Sequence, residues 1–260
     1  MRQADERKQA ILDRLARENR IYVSDLSHEF EVSEVTIRKD LQELEVRGML
    51  RRVHGGATTL GPGKVSVEST LDELVQINVQ EKQAIARAAF QFVAEGDALL
   101  LDASTTTREL AHLLRDSRFT SLTVITTALQ ISQELAPCEH IQVIQIGGII
   151  RRSLFTSMGP MATEALRNLH ADKAFIGVNG VDPQVGLTTQ NMLECEIKRH
   201  MIEASTQSFV LADASKMGCI ALGVIAPLNR VDYVVTDQGV PTLTARKIEE
   251  AGVDVVIAEA

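Results

Sequence analysis

The chain has 260 residues, of which 45% are hydrophobic and 24% charged, and its formal net charge is −8 at pH 7. This composition excludes a disordered, collagen-like or disulfide-scaffold protein, and the length favours two domains. The three cysteines lie far apart without a CxxC pair, so neither a disulfide framework nor a metal is predicted, and no cofactor motif is present. The charged N-terminus and the lack of an apolar run of about 20 residues predict a cytoplasmic protein.

The acidic excess belongs to the larger, C-terminal part of the chain. Residues 1–60 contain eleven basic and eleven acidic side chains, so the whole excess of −8 comes from residues 61–260. A neutral first segment attracts DNA only weakly by its bulk charge. The prediction of a nucleic-acid partner must therefore rest on the local arrangement of its residues.

Residues 1–57 carry the pattern of three short helices followed by a β-ribbon. Apolar residues at helical spacing predict an amphipathic helix over 5–19, and a short β-prone stretch follows at 21–23. Ser24 is placed to cap a second helix and Ser33 a third. Gly48 is expected to end the third helix, and residues 49–56 to form a wing. This order predicts a winged helix-turn-helix domain over residues 1–57.

The third helix carries the first candidate functional residues. Its apolar positions are expected to be buried, namely Val35, Ile37, Leu41, Leu44 and Val46. The second helix of a helix-turn-helix lies in the major groove, with its N-terminal side chains at the base edges. Arg38 and Lys39 suit phosphates or guanine, and Thr36 suits a base edge or a thymine methyl group.

An isolated Arg-Lys pair more often marks a solvated helix face than a binding site. Here the preceding helix and the following basic wing favour contact with DNA. The predicted DNA-binding residues are Ser33, Thr36, Arg38, Lys39, Arg51, Arg52 and His54.

Beyond the first domain the pattern changes to strands that alternate with helices. Residues 58–73 are rich in glycine, proline and small polar residues, which predicts a linker. Strands that are apolar throughout are buried on both faces, and their alternation with helices predicts a doubly wound, mostly parallel α/β domain over 74–260. The strand-like runs are 98–102, 121–127, 141–148, 173–180, 208–213, 233–237 and 254–259.

Ordered sequence blocks extend along nearly the whole chain. They are residues 33–41 (SEVTIRKDL), 54–57 (HGGA), 81–82 (EK), 102–106 (DASTT), 147–148 (GG), 172–177 (DKAFIG), 186–188 (GLT) and 213–216 (DASK). Together they resemble the DeoR/GlpR family of bacterial sugar-operon transcriptional regulators. The resemblance implies a repressor of a carbohydrate-utilisation operon. It also implies a C-terminal domain that is similar to sugar-phosphate isomerases and senses a phosphorylated sugar or a related metabolite.

The predicted effector site begins at the hydroxyl-rich turn 102–107 (DASTTT), which follows a strand and opens a helix. Backbone N–H groups and hydroxyls at a helix N-terminus suit a phosphate, and open α/β sheets bind ligands at the carboxyl ends of their strands. The alternative is that Ser104 or Thr105 only caps the helix. The predicted effector-binding residues are Asp102, Ser104, Thr105, Thr106, Thr126, Gly147, Gly148, Asn179, Glu194 and Lys216. Among them, Lys216 suits a phosphate, and Asn179 and Glu194 suit sugar hydroxyls.

Two other functions fit parts of the pattern. A sugar-phosphate isomerase with a DNA-binding appendage would use the same sheet, but such enzymes need a lysine- and glycine-rich loop, and residues 181–189 contain no lysine. A DNA-packaging protein is disfavoured by the large acidic second domain. We therefore predict a regulator without catalytic activity that binds double-stranded operator DNA and a sugar-phosphate-type effector. A homo-oligomer, dimer or tetramer, is expected because two winged domains on adjacent half-sites multiply affinity, and no membrane partner is expected.

Overall fold

A computed structural model describes residues 2–18, 20–46, 49–53, 55–58 and 71–259 of the chain. The chain divides into two compact units, residues 1–64 and 65–260. Most of the predicted linker at 58–73 lies outside the described residues, so its bounds stay a prediction. Within the described part of the chain, no helix combines the length and the apolar character that crossing a bilayer requires.

The N-terminal unit contains three helices and a small antiparallel sheet. Strand β3 pairs with both β1 and β2, which gives the strand order β1-β3-β2 and forms the wing. The apolar sides of the helices meet in one core that includes Ile11, Leu26 and Leu41. The elements are α1 (Arg2–Glu18), β1 (Arg20–Tyr22), α2 (Val23–Glu29), α3 (Glu34–Val46), β2 (Arg51–Val53) and β3 (Gly56–Thr58).

Two details of this unit correct the sequence predictions. Ser24 does not cap α2, because the helix begins at Val23 and Tyr22 occupies the N-cap position without a side-chain hydrogen bond. Val35 is not buried but 71% exposed. It precedes Ile37, which is fully buried, by two residues, so it lies roughly 200° around the helix axis on the opposite side. The predicted stop at Gly48 and the Val46 side chain lie outside the described residues.

The C-terminal unit is built on a seven-stranded sheet in which every neighbouring pair is parallel. All seven predicted apolar runs form these strands, in the order β15-β14-β12-β9-β4-β5-β6. The predicted fold class is confirmed. The strands are β4 (Ala98–Leu101), β5 (Leu122–Thr126), β6 (Ile141–Gln145), β9 (Ala171–Gly177), β12 (Ser205–Leu211), β14 (Tyr233–Asp237) and β15 (Asp254–Ala258).

Helices cover both faces of this sheet, and each face has its own apolar core. Successive residues of a strand point to opposite faces, so Leu99 and Leu101 enter one core and Leu100 the other. The helices are α4 (Leu71–Val75), α5 (Val79–Phe90), α6 (Thr105–Arg115), α7 (Leu129–Leu135), α8 (Pro160–Arg167), α9 (Met192–Glu203) and α10 (Thr242–Glu250). Residues of α5, α6 and α7 line the first core, and residues of α8, α9 and α10 the second.

Two small antiparallel arrangements supplement the main sheet. Strands β7 (Ile149–Arg151) and β8 (Thr156–Met158) form a hairpin. Strands β10 (Gly180–Asp182), β11 (Gly186–Thr189) and β13 (Gly223–Ala226) form a three-stranded sheet in the order β10-β11-β13. Because all strands of the main sheet are parallel, their carboxyl ends, and the loops that follow, share one edge.

Candidate functional site

Helix α3, the predicted recognition helix that would contact DNA, starts at the predicted cap. Ser33 Oγ accepts a hydrogen bond from the Thr36 N–H at 3.2 Å, and the two hydroxyl oxygens lie 2.9 Å apart. Ser33 therefore caps α3 as predicted. The Thr36 side chain is half-buried and tied to this cap.

Four exposed residues follow one another along the outer side of α3. We call Val35, Arg38, Lys39 and Gln42 the α3 outer stripe, since their i, i+3, i+4 and i+7 spacing places them on one helix face. Arg38 pairs with the Glu34 carboxylate at 2.7 Å, and both side chains are about half exposed, at 57% and 48%. The predicted contacts Arg38 and Lys39 thus lie on a face that is open to a partner.

The wing supplies the remaining predicted DNA contacts. The Arg52 backbone N–H donates to Glu45 Oε1 at 2.7 Å, and its guanidinium Nε lies 4.0 Å from Glu45 Oε2, so the wing is held against α3. Arg51 is part of β2, but its side chain is not described, and His54 lies outside the described residues. The other side of α3 is fixed by the ion pair between Arg7 and the buried Asp40, at 2.6 Å.

The predicted effector turn in the C-terminal unit is organised by one buried carboxylate. Asp102 Oδ1 accepts hydrogen bonds from the Ser104 N–H at 3.0 Å and the Thr107 hydroxyl at 2.8 Å. Asp102 Oδ2 accepts from the Gly177 N–H at 3.0 Å and pairs with Lys198. Both charged side chains are nearly inaccessible, at 2% for Asp102 and 6% for Lys198.

The electrostatic environment keeps Lys198 charged. Burial by itself lowers the pKa of a lysine, but the neighbouring Asp102 and Glu194 carboxylates outweigh that effect and raise the pKa of Lys198 above its ordinary value. The close approach of β9 to this turn requires Gly177, because a Cβ atom there would lie 2.3 Å from Ser104 Cβ.

A second ion pair lies near the Asp102–Lys198 pair. The Arg151 guanidinium, on the β7–β8 hairpin, lies 3.2 Å from Glu194 Oε2 in the first turn of α9. The Thr189 hydroxyl lies 3.2 Å from the same carboxylate oxygen and 2.9 Å from Asn179 Oδ1. Asp102, Glu194 and Lys198 line a small cleft together with Thr127, Thr156 and Ser157.

Lys216 belongs to a separate cluster of charges at the end of β12. It ends a short 3₁₀ turn, Ala214–Lys216, which Asp213 caps by accepting the Ser215 N–H at 3.0 Å. Asn78, at the start of α5, donates its amide Nδ2–H to Asp213 Oδ1 at 3.1 Å. This cluster therefore connects the loop after β12 to helix α5.

Lys82 of α5 is the second cation of that cluster. It is buried, and its ammonium donates to the Leu74 carbonyl at 2.5 Å. The pKa of Lys82 is lowered to about 8, chiefly by burial; the Asp213 carboxylate opposes this shift, and the positive charge of Lys216 adds to it. An anionic ligand beside Lys82 would favour its charged form.

Two other predicted effector residues, Ser104 and Thr126, make hydrogen bonds within the protein. Ser104 caps α6 by accepting the Thr107 N–H at 3.2 Å. The buried Thr126 hydroxyl donates to the Leu101 carbonyl at 2.7 Å and accepts from the Ala128 N–H at 3.0 Å. The structure thus brings Asp102, Glu194 and, through Thr189, Asn179 together, and places Lys216 in the separate cluster.

The remaining predicted positions follow strands β4 and β6, which β5 separates in the sheet. Thr105 and Thr106 form the first turn of α6, where backbone N–H groups have no partner within the helix. Gly147 follows β6 and faces open space, whereas a Cβ atom on Gly148 would lie 2.6 Å from the Met158 carbonyl oxygen. Gly148, with a φ of +151°, therefore permits the close approach of the β7–β8 hairpin.

Sequence reasoning assigned no site role to Lys82, Arg151 or Lys198. Lys82 stood within a family block, and Lys198 follows Glu194 by four residues, which places both on one face of α9. No sequence pattern pointed to Arg151, because only the β7–β8 hairpin brings it near Glu194.

The loop that would need a lysine in an isomerase is a tight hairpin here. It joins β10 to β11, and the Asp182 carboxylate accepts the N–H groups of Gln184 and Val185, each at 2.9 Å. The only carboxylate of this loop is thus occupied in holding the turn.

Comparisons with known proteins agree on both units. The family model for a DeoR-like helix-turn-helix domain matches residues 7–62, and the model for the DeoR C-terminal sensor domain matches residues 77–238. The HTH-type transcriptional regulator GolR of Listeria innocua is 36% identical, covering 98% of both chains. The transcriptional repressor AccR of Agrobacterium fabrum is 34% identical, covering 92% of this chain and 91% of its own.

Among solved structures, ribose 5-phosphate isomerase A from Methanocaldococcus jannaschii is similar with a TM-score of 0.36. It is 19% identical and the match covers 54% of this chain and 55% of the isomerase. The sequence relatives, which match nearly the full length and are regulators by name, support a regulator over the isomerase alternative.

Both units, the exposed recognition helix with its wing and the parallel sheet with charged groups at its carboxyl edge, fall within matches to a single family. The chain belongs to the DeoR family, and it is a DNA-binding transcriptional regulator without an enzymatic role.

Proposed function

We propose that the protein represses a carbohydrate-utilisation operon and that a phosphorylated sugar or a related metabolite in the C-terminal unit controls its binding to DNA. The observation that carries this proposal is the concentration of charged and hydroxyl groups at one edge of the sensor sheet. The paired charges of Asp102, Lys198, Arg151 and Glu194 lie there, as do the two lysines Lys82 and Lys216.

The two charge groups suit the two ends of such a ligand. Lys82, Lys216 and the N–H groups of Thr105 and Thr106 supply positive charge and donors for a phosphate. The Glu194 carboxylate and the Asn179 amide suit sugar hydroxyls. Asp102 is almost fully buried and its two carboxylate oxygens already accept four hydrogen bonds, so it positions the turn beside the ligand. The remaining predicted residues, Ser104, Thr126, Gly147 and Gly148, shape the loops around these groups.

Control of DNA affinity requires that the effector prefer one arrangement of the protein over another. A ligand shifts such an equilibrium only by its difference in affinity for the two states, typically about 1–3 kcal/mol. We propose a homo-oligomer, because paired winged domains on adjacent half-sites bind far more tightly than one. Light scattering on the purified protein measures its mass directly. A cytoplasmic location follows from the proposed operator partner.

The experiment compares operator affinity with and without effector. The operator is first obtained by selecting duplexes from a random-sequence pool with the full-length protein. Candidate effectors are aldose and ketose phosphates, with the free sugars and inorganic phosphate as controls. We expect a sugar phosphate to shift DNA affinity by about fivefold to 150-fold and the free sugar to have no effect.

Variants at the proposed phosphate end sharpen this experiment. Lys216→Ala and Thr105→Val are expected to bind operator DNA like the wild type but to lose the response to the sugar phosphate. Lys247→Ala, which removes an exposed lysine from α10, is the matched control and should respond normally. Folded Lys216→Ala and Thr105→Val proteins that respond like the wild type would contradict this site, and an absence of response to every phosphate would contradict the effector class.

A further inference from the structure

Val35 is an apolar side chain that does not pack into the core of the N-terminal unit. It stands in the first turn of α3 and is 71% exposed, whereas Ile37, Leu41 and Leu44 of the same helix are buried. A valine lowers helix propensity slightly compared with alanine, so nothing in the folding of α3 favours it at an exposed position. Its surroundings indicate what it contacts.

The neighbours of Val35 on the α3 outer stripe are polar. Arg38 and Lys39 follow it by three and four residues and Gln42 by seven, and all three are exposed. An apolar protein interface would continue the stripe with further apolar residues, but here a single apolar group is followed by two cations and an amide. This combination is complementary to the major groove of DNA, where phosphates flank the base edges.

Thr36, the other candidate for an apolar base contact, is less available. Its side chain is half-buried and its hydroxyl lies 2.9 Å from the Ser33 hydroxyl, within the helix cap. One residue along a helix corresponds to a rotation of about 100°, so Val35 and Thr36 face different directions. Of the two side chains, Val35 is the more exposed to solvent.

The major-groove edges of the four base pairs carry one apolar group, the C5 methyl of thymine. A valine offers two methyl groups and no hydrogen-bonding atom, so this methyl is the only base feature it can recognise favourably. We propose that Val35 reads the C5 methyl of one thymine in each operator half-site and is a specificity-determining residue of α3. Arg38, three residues further on, positions the helix beside it.

The test removes that methyl group from the DNA and changes nothing else. Operator duplexes are selected from a random pool with the full-length protein, and each thymine is then replaced in turn by uracil. For the wild type, uracil at one thymine per half-site is expected to weaken binding about fourfold, which corresponds to one buried methyl group. In Val35→Ala the same replacement should have no effect, and selection should no longer favour thymine there.

Two controls separate Val35 from its neighbour and from a folding defect. Thr36→Ser removes the methyl group of Thr36 but keeps the hydroxyl beside Ser33, and it should retain the uracil effect of the wild type. Val35→Ala should unfold at the same denaturant concentration as the wild type or higher, because alanine favours the helix. An unchanged uracil effect in Val35→Ala, its loss in Thr36→Ser, or a wild type indifferent to uracil at every thymine would overturn the proposal.

Discussion

The two units of the protein contain ion pairs that differ in their exposure to solvent. On α3 the Arg38–Glu34 pair is exposed, with 57% and 48% of the two side chains accessible to solvent. In the sensor unit the Lys198–Asp102 pair is almost completely buried, and Asp102 also accepts hydrogen bonds from Ser104, Thr107 and Gly177.

This difference matches the partners of the two units. An exposed ion pair contributes about 0–1 kcal/mol, so Arg38 can exchange Glu34 for a DNA phosphate at little cost. A buried pair is costly to form and costlier to break on one side, so Lys198 and Asp102 form a fixed wall of the cleft. The DNA-binding face is therefore adaptable, whereas the sensor cleft is preorganised.

Breaking the buried pair should have the largest effect. Lys198→Ala leaves the Asp102 carboxylate without its counter-charge, and we expect the free energy of unfolding of the sensor unit to fall by about 3–5 kcal/mol. Denaturant unfolding measures this change. The double variant Lys198→Ala with Asp102→Asn removes the isolated charge and should recover part of the loss. A single variant as stable as the wild type would show that the pair is not buried in solution.

Breaking the exposed pair should affect DNA binding and leave stability unchanged within about 1 kcal/mol. We expect Arg38→Ala to weaken operator binding about tenfold or more, and to lower the dependence of the binding constant on salt by about one ion per lost phosphate contact. Titrations at several salt concentrations measure both. Glu34→Gln, which frees Arg38, is the matched control and should bind DNA at least as tightly as the wild type. If Arg38→Ala binds normally, the outer stripe does not face the DNA.

The smallest expected effect concerns pH at the phosphate end of the sensor site. Because the pKa of Lys82 is lowered to about 8, its ammonium is mostly charged at pH 7 and mostly neutral at pH 9. A phosphate, fully ionised above its second pKa of about 6, binds the charged form. Affinity for the sugar phosphate should therefore fall up to about tenfold from pH 7 to pH 9.

Calorimetric titrations at several pH values measure this trend, and Lys82→Arg should abolish it, because a guanidinium stays charged throughout. The same shift affects stability. A lysine whose folded pKa is lowered destabilises the native state below pH 8, and that penalty is relieved as the pH rises from 8 toward the unfolded value of 10.5. An affinity for sugar phosphate that does not vary with pH in the wild type would place the ligand away from Lys82.

The sequence by itself determined the strands of the main sheet and the start of helix α3. The seven continuous apolar runs became the seven parallel strands, and Ser33 caps α3. These features depend on local properties, namely the period of apolar residues and the chemistry of a helix start, which are written within a few neighbouring residues. The family resemblance was likewise carried by short blocks, and the matches to both units confirm it.

Only the tertiary structure decided which side chains meet. Lys198 and Asp102 are 96 residues apart in the chain and were not paired by any sequence pattern. Arg151 reaches Glu194 through a hairpin, and Lys216 joins Lys82 instead of the cleft that Asp102 lines. Val35 was assigned to the wrong face because an apolar residue was taken to be a buried one. The physical reason is common to these cases: contacts between distant residues, and the side of a helix that is covered, are set by how whole elements pack, which local periodicity does not specify.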